Sequence, residues 1–120
     1  MYVKKVFVFA AAAAVGMMSM ATTASAFNTG RCAACHNIDH DKVGPAWKTV
    51  AEHYGDEATL AKVFEDGFKV SDRKVAGSIA KWKSKAGLMT SQFNHLIKGH
   101  EKEAAHALFE SVKNDKFGNY

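Results

Sequence analysis

The segment Cys32-Ala33-Ala34-Cys35-His36 constrains this chain most, because it contains the only two cysteines among 120 residues. The two thiols are three positions apart, about one helical turn, so both can face the same ligand. The histidine follows the second thiol directly. This spacing is the C-x-x-C-H signature of c-type haem attachment, in which both thiols bond to the porphyrin and the imidazole binds its iron. We therefore predict one covalent haem c, attached at Cys32 and Cys35, with His36 as the proximal iron ligand.

Three other uses of two cysteines compete with haem attachment. A thioredoxin-like C-x-x-C site needs a βαβ surround, and the sequence pattern predicts none. A disulfide between Cys32 and Cys35 would close too short a loop to stabilise a fold. A zinc site could use both thiols with His36 and His40, but it has no second pair of ligands at the usual spacing. We favour haem over these alternatives.

Residues 1–26 have the pattern of a cleaved secretory signal peptide. Lysines at positions 4 and 5 form the positive amino end, and an Ala-Ser-Ala cleavage site ends at Ala26. The apolar stretch between them, residues 6–18, is 13 residues long, shorter than the roughly 20 that a membrane-spanning helix needs. We predict export to the periplasm and cleavage after Ala26, with an uncleaved anchor and a cut after Ala21 as the alternatives.

Cleavage after Ala26 leaves a domain of 94 residues, 27–120, enough for one small core. This domain keeps 14 basic and 12 acidic residues, so the net charge falls from +4 to +2. So small a charge gives no reason to expect nucleic-acid binding, and no membrane contact is expected once the signal peptide is removed.

The pattern of the mature chain predicts an all-α fold of short helices. Asn28 or Thr29 could cap a turn that carries the cysteines. Longer helices are predicted over residues 47–53, 57–66 and 100–113, the second between the cap Asp56 and the stop Gly67. Residues 68–97, with several glycines, are predicted to be loop-like, and residues 114–120 a polar tail.

The sixth iron ligand determines what a haem bound by His36 can do. A methionine favours electron transfer, whereas an open position favours small-ligand binding or peroxidase-like chemistry. Of the five methionines, only Met89 survives cleavage, and it lies 53 residues after His36. That length of chain can reach the opposite face of a porphyrin. We predict Met89 as the distal ligand, with His95 and His100 as the alternatives.

On these residues the chain resembles the class I cytochromes c, in particular the small bacterial monohaem type. The likeness rests on two segments in register, C-A-A-C-H-N-I-D from Cys32 and K-V-G-P-A-W-K from Lys42. It covers residues 27–67 well, and Met89 and the last helix in general character. The resemblance implies a few short helices wrapped around one covalent haem.

The resemblance also implies roles for residues around the haem. The Pro45 carbonyl would accept a hydrogen bond from the His36 ring, which fixes the tautomer and strengthens the iron ligand. Trp47 or Trp82 could donate an indole N–H to a haem propionate, with simple packing as the alternative for either. The prolines that surround the distal methionine in this family are missing here, which implies a more mobile Met89 loop.

These expectations describe a periplasmic one-electron carrier, not an enzyme. The sequence has no Ser/His/Asp or paired-carboxylate pattern and no glycine-rich nucleotide loop. A monomer that docks on redox proteins through a basic rim is expected; the candidate lysines are Lys42, Lys48, Lys81, Lys83, Lys85 and Lys98. Two other functions stay open: a dedicated haem subunit or docking partner of one periplasmic oxidoreductase, and a haem with a labile sixth site that binds small ligands.

Overall fold

The computed structural model describes residues 26–75 and 79–120, so the predicted signal peptide, apart from Ala26, lies outside the described residues. These parts of the chain contain helices and no β-strand, which confirms the all-α prediction for them. The α-helices are α1 (Trp47–Tyr54), α2 (Glu57–Glu65), α3 (Ala80–Lys83), α4 (Ala86–Gln92) and α5 (Glu101–Asn114). A 3₁₀ turn covers Thr29–Cys32, another covers Val70–Asp72, and a π-helical turn covers Phe93–Ile97. No helix within the described ranges is both long and apolar enough to cross a membrane.

Helices α1 and α2 end at the local signals that the sequence contains. Gly55 follows α1 with a φ of 87°, a conformation that glycine adopts without strain. The Asp56 carboxylate caps α2 by accepting a hydrogen bond of 2.8 Å from the Thr59 N–H. Gly67, at a φ of 99°, lies two residues beyond α2. The predicted limits of both helices are thus correct to within one residue.

Helix α5 forms the centre of the core and packs most extensively against α2. The apolar side chains Ala104, Ala105 and Leu108 lie on one face of α5 and are all buried. The alanines let the two helices approach closely, and α2 contributes the buried side chains Leu60 and Phe64. Helices α2 and α5 together form one wall of the candidate site.

The predicted loop over residues 68–97 is wrong, because α3, α4 and the π-helical turn occupy most of its second half. Gly87 lies inside α4 and does not have the positive φ that is found at Gly67 and Gly99. Buried contacts made by Ala86 and Phe93 stabilise this segment despite its weak helix propensity. Met89 therefore lies on a helix.

The predicted polar tail is also wrong. The Phe117 ring packs edge-on against Trp47, with ring centroids 4.9 Å apart. Phe27 and Tyr120 exchange two backbone hydrogen bonds of 2.9 and 3.3 Å. The Phe117 ring thus attaches residues 114–120 to the core, and backbone hydrogen bonds attach them to the segment that precedes the cysteines.

A buried polar contact anchors the turn that carries Cys32. The Thr29 and Ser111 hydroxyl oxygens are 2.9 Å apart, and both residues are fully buried. Thr29 also donates to the Gly118 carbonyl at 3.0 Å. Because these polar groups satisfy one another, the turn is held against α5 without leaving a buried hydroxyl unpaired.

Candidate functional site

A large apolar cavity lies beside the cysteine-bearing turn, with an empty volume of about 1210 Å³ including the open space at its mouth. Its lining comes from the turn, from α1, α2 and α5, and from α3 and α4. The lining includes all seven residues that the sequence singles out: Cys32, Cys35, His36, Pro45, Trp47, Trp82 and Met89. The fold therefore brings to one cavity residues that are up to 57 positions apart in the chain.

The two cysteines lie on a single tight turn. Asn28 caps this turn as predicted, because its side-chain oxygen accepts a hydrogen bond of 2.9 Å from the Gly30 N–H. The backbone N–H groups of Cys35 and His36 both donate to the Cys32 carbonyl, at 3.1 and 3.0 Å. Both thiols are free and half-buried. The turn thus places two thiols and an imidazole on one wall of the cavity.

The environment of Cys32 is unlike that of a redox-active thiol. Burial raises the pKa of the Cys32 thiol to about 11, against a smaller lowering by the Arg31 guanidinium. Redox-active C-x-x-C sites need a cysteine whose pKa is lowered, because the thiolate is the reactive form. At neutral pH Cys32 is a protonated thiol, which gives no support to the thioredoxin-like alternative.

The His36 ring is oriented by a single strong hydrogen bond. Its Nδ1–H donates to the Pro45 carbonyl at 2.7 Å, and Nε2 has no hydrogen-bond partner within residues 26–75 and 79–120. Burial lowers the pKa of His36, and the bond to Pro45 opposes this shift more weakly. The imidazole is therefore neutral at pH 7, with Nε2 available to a metal.

Gly44 is a site residue that the sequence did not single out, although it belongs to the K-V-G-P-A-W-K segment. Its N–H donates to the Cys35 carbonyl at 2.6 Å. A Cβ added at Gly44 would come within 2.9 Å of both nitrogens of the His36 ring. Only glycine leaves room for this ring, so Gly44 maintains the orientation of the imidazole.

We expect Gly44→Ala to displace the His36 ring from Pro45 and to lower the free energy of unfolding by about 1–3 kcal/mol, the usual cost of overpacking. The measurement is a urea unfolding curve. Gly87→Ala is the matched control: a Cβ at Gly87 meets no atom within 4 Å, and alanine favours the helix by up to about 1 kcal/mol. Equal urea midpoints for the two variants would contradict the role assigned to Gly44.

Trp47 and Trp82 both line the cavity, and each carries an indole N–H that can donate a hydrogen bond. Both side chains are 5 % exposed, and neither indole N–H has an acceptor in the part of the chain that the structure describes. A buried donor without a partner is uncommon in proteins and indicates a polar group that binds there. The cavity is thus suited to a ligand with an apolar body and polar or anionic edges.

Met89 is the one predicted distal ligand that reaches the cavity. It lies in the middle of α4, is half-buried and packs against the core. The alternative ligands His95 and His100 are exposed and do not line the cavity. Among the candidates for a second axial ligand, the fold therefore favours Met89.

The zinc alternative has no support from the geometry. His40 is exposed; its Nδ1 lies 2.7 Å from Asp39 and its Nε2 accepts from Asn37 at 2.8 Å. Within the ranges 26–75 and 79–120, no three His, Cys, Asp or Glu side chains are grouped to hold a metal ion. The described residues thus bring His36 beside the two thiols but no further histidine or carboxylate that would complete a zinc site.

The arrangement as a whole is an apolar cavity with two thiols, a neutral imidazole and a thioether on its lining. Comparisons of the chain with protein-family models, with curated proteins and with solved structures find no match. What the cavity binds must therefore be inferred from its own residues.

Proposed function

We propose that the protein is a c-type cytochrome that carries single electrons, with one haem attached through Cys32 and Cys35. The observation that carries this proposal is the convergence of the C-x-x-C-H residues and the lone mature methionine on one apolar cavity. The cavity is large enough for a cofactor, and its few polar groups suit a porphyrin with two propionates. A haem bound there would supply a one-electron iron couple.

The residues of the cavity would each have a separate task in such a protein. Both thiols would hold the group covalently, so that it cannot diffuse away. His36 and Met89 would both hold the iron, with the Pro45 carbonyl keeping the imidazole in the tautomer that binds through Nε2. A ligand set that fills both axial positions favours electron transfer over ligand binding.

The remaining lining would control the surroundings of the iron. The buried side chains Leu60, Phe64 and Phe68 line the cavity and exclude water from it. A dry apolar surround raises the potential of an iron site, because it disfavours the more highly charged oxidised form. The indole N–H groups of Trp47 and Trp82 would donate to the propionates.

We infer that residues 27–120 form a class I cytochrome c domain that works as a monomer in the periplasm. Three observations support this inference: the described residues form helices and no strand, the cysteine-bearing turn is held against α5, and His36 is bonded to Pro45. The chain departs from the expected loop around the distal methionine, since Met89 lies on α4.

The mouth of the cavity would be the docking surface for redox partners. Val43 and Leu88 line the cavity and are 37 % and 57 % exposed, an apolar rim that a partner could cover. Lys85 also lines it, whereas Lys48 and Lys81 are paired with Asp115 and Asp41. Electron exchange would therefore depend on apolar contact between the partner and the mouth of the cavity, with a smaller electrostatic contribution from Lys85.

Expression with export and haem maturation tests the proposal. We expect a mature mass equal to the polypeptide from Phe27 plus one haem, a reversible one-electron titration, and no carbon monoxide binding by the reduced protein at neutral pH. A polypeptide mass without haem would contradict the proposal, and carbon monoxide binding would favour the labile sixth site. A mass that begins at Thr22 would show cleavage after Ala21.

A further inference from the structure

Arg73 is a buried cation that no carboxylate of the described residues neutralises. The residue is 4 % exposed and lines the cavity. No Asp or Glu within the described ranges pairs with it. Burying an unpaired charge is costly unless other dipoles replace its water shell. The groups that form hydrogen bonds with Arg73 should therefore indicate which part of the structure its burial stabilises.

The groups that bond to Arg73 lie in two segments of the cavity wall, one at Phe68 and the other in α4 around Met89. The Arg73 Nε and Nη2 both donate to the Phe68 carbonyl, at 3.0 and 2.8 Å. Nη1 donates to the Ala86 carbonyl at 2.9 Å, and Nη2 to the Thr90 hydroxyl at 2.6 Å. The guanidinium carbon also lies 3.9 Å from the centroid of the Phe68 ring. One side chain thus joins Phe68 to the first and fifth residues of α4.

We propose that Arg73 is the positioning residue of the distal side, which fixes α4, and with it Met89, against the wall at Phe68. Helix α4 has seven residues and no side-chain cap, and a helix this short is marginal without tertiary contacts. Its segment also lacks the prolines that would stiffen a loop. Arg73 bonds to Ala86 and Thr90, on either side of Met89, and through two further bonds to the Phe68 carbonyl. These four hydrogen bonds hold α4 in place where no proline does.

The geometry requires the planar guanidinium of an arginine, with its several N–H donors, and not only a positive charge. Four donors aimed at three acceptors on two segments match a planar guanidinium. A lysine at position 73 would keep the charge and reach one acceptor at a time. Arg73→Lys therefore separates positioning from charge compensation.

Amide hydrogen exchange on the whole mature protein tests the anchoring directly. We expect amides of α4 to exchange about tenfold faster in Arg73→Lys and in Arg73→Gln, because the charge-assisted hydrogen bonds that hold α4 are lost. Amides of α5 should be unchanged. Lys83→Gln, which removes an exposed cation from α3, is the matched control and should exchange like the wild type.

The ligation of Met89 is a second readout and depends on the proposed function. We expect the sulfur-to-iron charge-transfer absorbance of the oxidised protein to weaken in both Arg73 variants, and added imidazole to bind about tenfold more tightly, since a loosened ligand is displaced more easily. Thr90→Val removes one of the four bonds and should produce the same changes at a smaller size, which keeps the test valid if Arg73→Gln does not fold.

The two proposals fail in different ways. Wild-type exchange in α4 of Arg73→Lys and Thr90→Val would overturn the positioning role, whatever the cavity binds. Fast exchange in α4 together with an absorbance spectrum that is unaffected by Met89→Ala would support the anchoring and would overturn Met89 as the ligand. The exchange measurement does not depend on haem.

Discussion

The variant in which both Cys32 and Cys35 are replaced by alanine is expected to contain no covalently bound haem. The chain has no other cysteine, so no thiol remains on the cavity wall to form a thioether. We expect the loss to be complete: extraction with acidified acetone should remove all haem from the protein, and a denaturing gel stained for haem should show no band. The wild-type protein should keep its haem in both measurements.

His40→Ala is the control for this experiment. His40 is exposed and bonded to Asp39 and Asn37, so its loss should leave haem attachment unchanged. If the cysteines served a zinc site with His40, this variant and the double cysteine variant would instead lose zinc together. Haem that resists extraction from the double variant would show that the attachment points are wrong.

Met89→Ala is expected to abolish the sulfur-to-iron charge-transfer band and to lower the reduction potential. Met89 is the only methionine in residues 27–120 and the only candidate distal ligand that lines the cavity. Its loss leaves one axial position open, so the reduced variant should bind carbon monoxide at neutral pH, unlike the wild type. Absorbance spectra of both oxidation states, with and without carbon monoxide, provide the measurement.

Leu88→Ala is the matched control, because its side chain precedes Met89 on α4 and is 57 % exposed. We expect this variant to keep the band and to exclude carbon monoxide. If the band persists in Met89→Ala, Met89 is not the ligand. His95→Ala and His100→Ala should leave the spectrum unchanged, since both histidines lie outside the cavity lining.

The helices that the sequence predicted correctly are those with local signals. Asp56 at the start of α2, glycines of positive φ beyond α1 and α2, and the apolar spacing of α5 depend only on neighbouring residues. Such signals act within one or two turns, so they can be recognised without any knowledge of the tertiary structure.

The segments that were predicted wrongly are held by residues distant in sequence. Helix α4 accepts hydrogen bonds from Arg73, thirteen positions before Ala86, and in the segment after α5 Phe117 packs against Trp47. Composition alone made these segments look like a loop and a polar tail, because propensity does not include long-range contacts.

The sequence by itself determined the chemistry available to this protein: two thiols and an imidazole on one turn, whose spacing is a local property of residues 32–36. It also left a single methionine, Met89, in residues 27–120 as a candidate for the second iron ligand. Only the tertiary structure decided that Met89 reaches the same cavity, that Gly44 leaves room for the His36 ring, and that Arg73 joins α4 to the wall. These three features depend on contacts between segments that the packing of the helices brings together, and such contacts leave no periodicity or spacing in the sequence.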